Sequence, residues 1–301
     1  MDRGFLYMAQ SALAFAAMGA FAKGAGARLP VSELVLARGL VSLALSFVAL
    51  RRAGVDPVGR RPPRLFARGV IGALGLAALF FALARLPLAE ATVIQYLHPV
   101  FTALLAALLL RERTGGGLAL SIGLGAAGVL AVARPAALFG GAASALDPLG
   151  LAAAVAGAVL SACAYVAVRH LSATEHPVVI VSYFAWVAVA SSLPFALRSF
   201  VWPQGVEWGL LAGIGVAAQA GQVSMTHGLR IMPAARATAL SYLQVVFAAV
   251  LGVLFFGERP GPWTVIGALA ILSGTLVALR DGRRAARSAA SAAEASPPAG
   301  A

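Results

Sequence analysis

Glu90–Arg113, EATVIQYLHPVFTALLAALLLRER, returns 146 residues later as Arg236–Arg259, RATALSYLQVVFAAVLGVLFFGER. The two copies agree at 11 of 24 ungapped positions, among them Tyr96 with Tyr242, Phe101 with Phe247 and Glu112 with Glu258. A match of that density, closed by the same Glu-Arg pair, is an internal repeat, and a repeat constrains the architecture before any single residue is interpreted. The same offset aligns Gly4 with Gly150, Lys23 with Arg169, Arg52 with Arg198, Pro87 with Pro233 and Gly128 with Gly274.

Composition supplies the solvent. The chain is 60% hydrophobic and 11% charged, with a mean hydropathy of +0.89, whereas about a quarter of the residues in a soluble domain are charged. Ten apolar runs are long enough to cross a ~30 Å hydrocarbon core, which takes about 20 helical residues: approximately 4–22, 34–50, 66–84, 88–110, 117–133, 149–168, 178–198, 207–228, 234–256 and 263–280. No alternating strand pattern appears, so a barrel is not expected. The first run resembles a signal peptide but is read as a retained helix, since nine further spans follow.

Each half holds five spans, and an odd number inserts the second half upside down. The expected fold is therefore all-α and membrane-spanning, ten transmembrane helices forming two inverted five-helix repeats (5+5), residues 1–146 and 147–280. Residues 281–301, rich in Ala, Ser, Arg and Pro, are expected to be a disordered cytoplasmic tail. The net charge of +12 comes from arginines between the spans, which implies orientation in a bilayer rather than a nucleic-acid partner. With both termini in the cytoplasm, 16 of the 23 Lys and Arg residues fall on that side, Arg68 among them, and the loop Arg51–Leu65 alone carries five arginines. The single cysteine, Cys163, excludes an internal disulfide and has no metal-ligand neighbours at useful spacing. No metal or other cofactor is expected.

Polar residues inside these spans mark a candidate site, because a polar group in hydrocarbon is costly unless it faces the bundle. Ala91, Gln95, His98 and Thr102 share one helix face, Ala237, Ser241, Gln244 and Ala248 repeat it, and Gln219, Gln222 and Thr226 add a third stripe. His98 lies eight residues from Glu90, and Gln244 eight residues from Arg236 at the opposite membrane face, so each is ~12 Å deep and both bracket the midplane. Pro99 is expected to kink its helix and free a carbonyl near Gln95. Tyr96 and Tyr242, one position off the stripes, either line the cavity or pack between helices. Trp186, ~12 Å into its span, is too deep for an interfacial residue and presents a ring face that suits an ammonium or aromatic group. Tyr165 is expected to be an interfacial anchor. Trp202, Trp208 and Trp263 read as belt residues. Arg38, only ~6 Å inside its run, is expected to snorkel outward or to pair with Glu33, and Glu112 and Glu258 to cap or pair at opposite faces. No Asp or Glu lies near the midplane, which leaves His98 as the titratable candidate there. With no buried Lys or Arg evident either, the expected substrate is a zwitterion or neutral polar solute.

Pro87, Ala91, Thr92, Tyr96, Pro99, Phe101 and Glu112, with Pro233, Ala237, Thr238, Tyr242, Phe247 and Glu258 in the second half, resemble the drug/metabolite transporter superfamily of the EamA-repeat kind. Within it the chain is most similar to the YddG-type amino-acid exporters. The resemblance implies a central substrate cavity, alternating access and export of small metabolites, neutral or aromatic amino acids first, from a monomer in the bacterial inner membrane, with a multidrug exporter as the alternative. His98-Pro99 stands where many such proteins have Glu-Pro. An enzyme is not expected, since no GxSxG or HExxH motif is present. A channel is separable from a carrier by the speed of its currents and the absence of counterflow.

Overall fold

The structure, a computed structural model, describes residues 3–86, 88–110, 112, 115–133, 147–257, 259 and 261–294. The described residues form twelve helices: α1 (Arg3–Ala25), α2 (Val31–Ala53), α3 (Pro62–Leu83), α4 (Leu88–Gln95), α5 (His98–Leu109), α6 (Gly116–Ala133), α7 (Pro148–Leu171), α8 (Pro177–Arg198), α9 (Val206–Ile231), α10 (Ala234–Leu240), α11 (Leu243–Phe256) and α12 (Pro262–Glu294). The pairs α4–α5 and α10–α11 are each one interrupted traverse, which leaves ten. Nine of these are long and apolar enough to cross a membrane. The tenth, α9, is long enough at 26 residues, but Gln219 and Gln222 dilute its hydropathy.

Local chemistry sets the helix ends. Proline, whose fixed φ suits the first turn and whose missing N–H costs nothing there, begins α3, α7, α8 and α12. Asp147 caps α7 by accepting from the Leu149 and Gly150 N–H groups. Gly54, at φ +62°, ends α2 in the left-handed conformation that a glycine adopts without a Cβ clash.

The helices pack in couples: α1 against α9, α3 against α7, α2 against α8, and α6 against α12. Exchanging the two halves turns the first couple into the second and maps each of the other two onto itself. At the α6–α12 contact the backbones nearly touch. A Cβ on Gly128 would fall 2.6 Å from the Gly267 carbonyl oxygen, and one on Gly267 would fall 2.5 Å from that of Gly128. Small residues at such contacts let dispersion hold the helices together where lipid offers no hydrophobic drive.

Apolar packing differs between the two ends of the bundle. At the end carrying the α2–α3 and α7–α8 loops, one cluster joins Leu50, Leu65, Leu171, Val179, Leu229 and Met232 across both halves. At the other end the apolar residues divide into two clusters, one around Leu29, Leu34 and Leu211 and one around Ala82, Leu86 and Ala154. The stretch from residue 281, expected to be disordered, continues α12 as a helix to Glu294, consistent with alanine's high helix propensity. Residues 295–301 lie outside the described residues.

Candidate functional site

Both interrupted traverses break within one residue of the equivalent point, at Tyr96–Leu97 and at Ser241–Tyr242. In the first, Pro99 cannot donate, and Val100 bonds the Leu97 carbonyl in a tighter turn. The second copy has Val245 in place of proline and breaks all the same. There Thr238 Oγ1 bonds the Ala234 carbonyl and Ser241 Oγ the Thr238 carbonyl, the hydroxyl back-bonding that bends helices. Pro99 has no N–H to give the Gln95 carbonyl, and because Val100 bonds Leu97 the Tyr96 carbonyl loses its helix donor as well; it accepts a hydrogen bond from Tyr242 Oη at 3.1 Å.

A cavity of about 350 Å³ lies between the breaks and draws side chains from both halves. Of the residues singled out from sequence, Gln95, Tyr96, His98, Gln222 and Gln244 line it together. His98 stacks on Tyr165, with ring centroids 5.1 Å apart and planes 6° from parallel, and its Nδ1 has no hydrogen-bond partner among the described residues. Gln95 donates from Nε2 to Ser161 Oγ, and its Oε1 has no donor among the described residues. Pro99 is buried in the first turn of α5, beside the break.

The other candidates are elsewhere. Gln219 accepts from Ser42 Oγ and donates to Ser46 Oγ, so it clamps α9 to α2. Ser241 is buried and spent on the Thr238 carbonyl. Tyr242, 1% exposed, caps Tyr96 from behind the wall. Trp186 is 64% exposed on a lateral face with Phe47 and Phe66. The cavity position on α8 belongs to Phe184, and two residues further along turn a side chain roughly 200° away. Tyr165 is a cavity residue instead of an interfacial anchor. Phe200, Trp202 and Trp208 form an edge-on aromatic group at the far end.

Two arginines complete the lining. Arg38 does not pair with Glu33, whose Oε2 accepts the Val201 N–H. It turns inward, with its guanidinium carbon 5.2 Å from the centre of the Phe184 ring. Arg68, expected on the cytoplasmic side, is 3% exposed, 4.7 Å from the same ring, and donates from Nη2 to Gln222 Oε1 at 3.3 Å. The apolar runs had put the starts of α2 and α3 three to four residues too late. Counted from Val31 and Pro62, the two arginines are ~9–11 Å deep. The available signal was a charge inside an apolar run, which marks a functional position by default.

Toward the α2–α3 loop the cavity ends on the joined apolar cluster. Beyond that cluster Glu112 accepts from Arg169 Nε at 3.2 Å and from the Ala234 N–H at 2.9 Å, while Arg169 donates to the Leu229 and Arg230 carbonyls. Toward the other end the lining continues to Leu79, Leu83 and Thr92. Glu258, the counterpart of Glu112, lies outside the described residues.

Residues 2–134 and 148–280 each match the EamA-like transporter family. The chain is 34% identical to the pseudopaline exporter CntI of Pseudomonas aeruginosa over 90% of this chain and 94% of that one. It is 29% identical to human solute carrier family 35 member G1 over 74% of this chain and 64% of that one. A solved crystal structure superposes with a TM-score of 0.80 at 25% identity, covering 92% of this chain and 96% of that one. These relatives support the family, and not the narrower likeness to YddG-type amino-acid exporters.

Proposed function

The chain belongs to the EamA-like transporter family, and from that premise we propose that it exports a small polar metabolite, an amino acid or a related compound, by alternating access around the central cavity. It is a multi-pass membrane transporter and not an enzyme. The observation that carries the reading is the cavity itself, set between two helix breaks and closed at one end by apolar packing and the Glu112–Arg169 pair. Alternating access needs such a one-sided closure, and two halves of similar packing supply two ends that can close in turn. The 146-residue repeat and the exchange symmetry of the helix couples support a 5+5 inverted arrangement. With the arginine-rich loops in the cytoplasm, the closed end faces inward and the cavity faces out across a bacterial inner membrane. A monomer suffices, because one chain forms the whole cavity. A multidrug exporter of apolar cations is disfavoured by Arg38 and Arg68 in the lining, and a channel by the closed end.

Cells overexpressing the chain should resist one class of toxic amino-acid analogue, and proteoliposomes should show counterflow of the labelled parent compound. Replacing Gln95, His98 and Gln244 together by Ala should abolish both. Full activity in that triple variant refutes the cavity reading. Among the described residues no Asp or Glu lines the cavity, so flux should persist without a pH gradient. Strict dependence on the gradient, retained in His98→Ala, contradicts a facilitative or weakly proton-linked carrier.

A further inference from the structure

We propose that Arg38 and Arg68 form an oxyanion site and that the transported solute is acidic, carrying at least two negative charges on carboxylate or phosphate groups. The proposal rests on the transport reading above and sharpens it. Its basis is a charge imbalance. Arg38 and Arg68 reach into one cavity from α2 and α3, and no carboxylate appears in its described lining. Arg38 has no hydrogen bond or ion pair to a described residue, and its guanidinium lies over the Phe184 ring. Arg68 spends one N–H on Gln222, while its Nε and Nη1 are buried with no hydrogen-bond partner among the described residues.

A buried, unpaired guanidinium is among the costlier arrangements in a protein interior, and more so among hydrocarbon-spanning helices. Guanidinium cannot escape by deprotonating, and its planar fork matches an oxyanion in a two-point contact. The site is also built to hold these groups. Phe184 offers its ring to both cations, so the two guanidinium carbons lie within about 10 Å of each other. Gly72, one turn from Arg68, leaves room for that ring, since a Cβ there would fall 2.9 Å from Phe184 Cε2 and 3.4 Å from Arg68 Nη1. Two cations without counter-charge call for a ligand that brings its own. A neutral amino acid supplies one carboxylate and takes back the gain with its ammonium. The cavity volume of about 350 Å³ suits a small molecule. Gln95 Oε1, an acceptor with no donor among the described residues, is available to an N–H or O–H elsewhere on the same solute.

The test uses purified full-length protein with succinate, inorganic phosphate and leucine as probes, read by thermal melting and by flux in proteoliposomes. Succinate, phosphate or both should raise the melting midpoint, and leucine should do so less. A response to succinate alone identifies carboxylate, and one to phosphate alone identifies phosphate. Arg38→Gln and Arg68→Gln should each weaken the response about tenfold or more, the scale of a lost charged hydrogen bond, with Arg68→Lys intermediate. Because Arg68 meets Gln222 and Phe184 but no carboxylate among the described residues, and glutamine can keep an N–H on Gln222, ligand-free Arg68→Gln should melt no lower than the parent, which separates a binding role from a structural one. The proposal is overturned if neither anion shifts the midpoint, if leucine binds better than both, or if Arg68→Gln binds the anions unchanged. Leucine counterflow that survives Arg68→Gln would retain the transport function and remove the anion assignment. Anion binding without flux of any probe would do the reverse.

Discussion

At the scale of the residue, the two copies of the opening stretch divide their labour. Tyr96 faces the cavity, while its counterpart Tyr242 sits behind it with its hydroxyl on the Tyr96 carbonyl. Tyr242→Phe removes that donor and leaves a carbonyl of a broken helix unsatisfied, at a cost of about 1–3 kcal/mol. The expected result is a lower thermal midpoint, together with weaker transport because the wall that carries Tyr96 loosens. Trp186→Ala is the contrasting case. Its side chain is on the lateral face, so flux and its concentration dependence should stay at parental values. A large change in apparent affinity in Trp186→Ala would return that residue to the site. Symmetric positions were legible as a repeat, but which member of each pair faces the cavity was not, since one residue of helical rotation, about 100°, decides it.

At the scale of the element, the break in each interrupted traverse has different local causes and falls within one residue of the same repeat position. Pro99→Ala restores one donor, yet the counterpart traverse breaks with no proline. Pro99→Ala should therefore keep the break and retain transport, with altered rate rather than lost binding. Complete loss of function in that variant, with normal folding, would make Pro99 the hinge on its own. The α6–α12 contact is stricter. A side chain at Gly128 meets the Gly267 carbonyl and Ile271, so Gly128→Val should destabilise the bundle by about 1–3 kcal/mol as an overpacked interface does. Folded yield in detergent and the melting midpoint measure it. Gly128 and its repeat partner Gly274 were visible in the sequence, whereas Gly267, which Gly128 actually touches, is not its aligned partner. Contact across an interface follows the crossing of two helices, which a one-dimensional alignment does not contain.

At the scale of the whole molecule, closure at one end is shared by an apolar cluster and one polar latch. Glu112 joins the end of the first interrupted traverse to Arg169 on α7 and to the first N–H of α10. Glu112→Gln keeps an acceptor for that N–H but removes the ion pair. Its expected effect is a shift toward the state open at the arginine-rich end. A cysteine replacing Met232, in a Cys163→Ala background, should then react faster with a membrane-impermeant thiol reagent applied from that side. Equal labelling with and without Glu112→Gln assigns closure to the apolar cluster alone.

The sequence by itself determined the solvent, the number of traverses, the repeat and the family, because these follow from run length, composition and pattern, all of which are local or periodic. It also brought Gln95, His98, Gln222 and Gln244 to one cavity, since polar residues in hydrocarbon have few other places to go. Tertiary structure alone decided that Trp186 leaves that cavity, that Gln219 is a clamp, and that Arg38 and Arg68 enter it. Helix starts shifted by a turn moved the two arginines from an assumed interface to the interior. Which groups a buried guanidinium meets, here the Phe184 ring and Gln222, depends on neighbours from α8 and α9, distant in the chain and adjacent only once the bundle has formed.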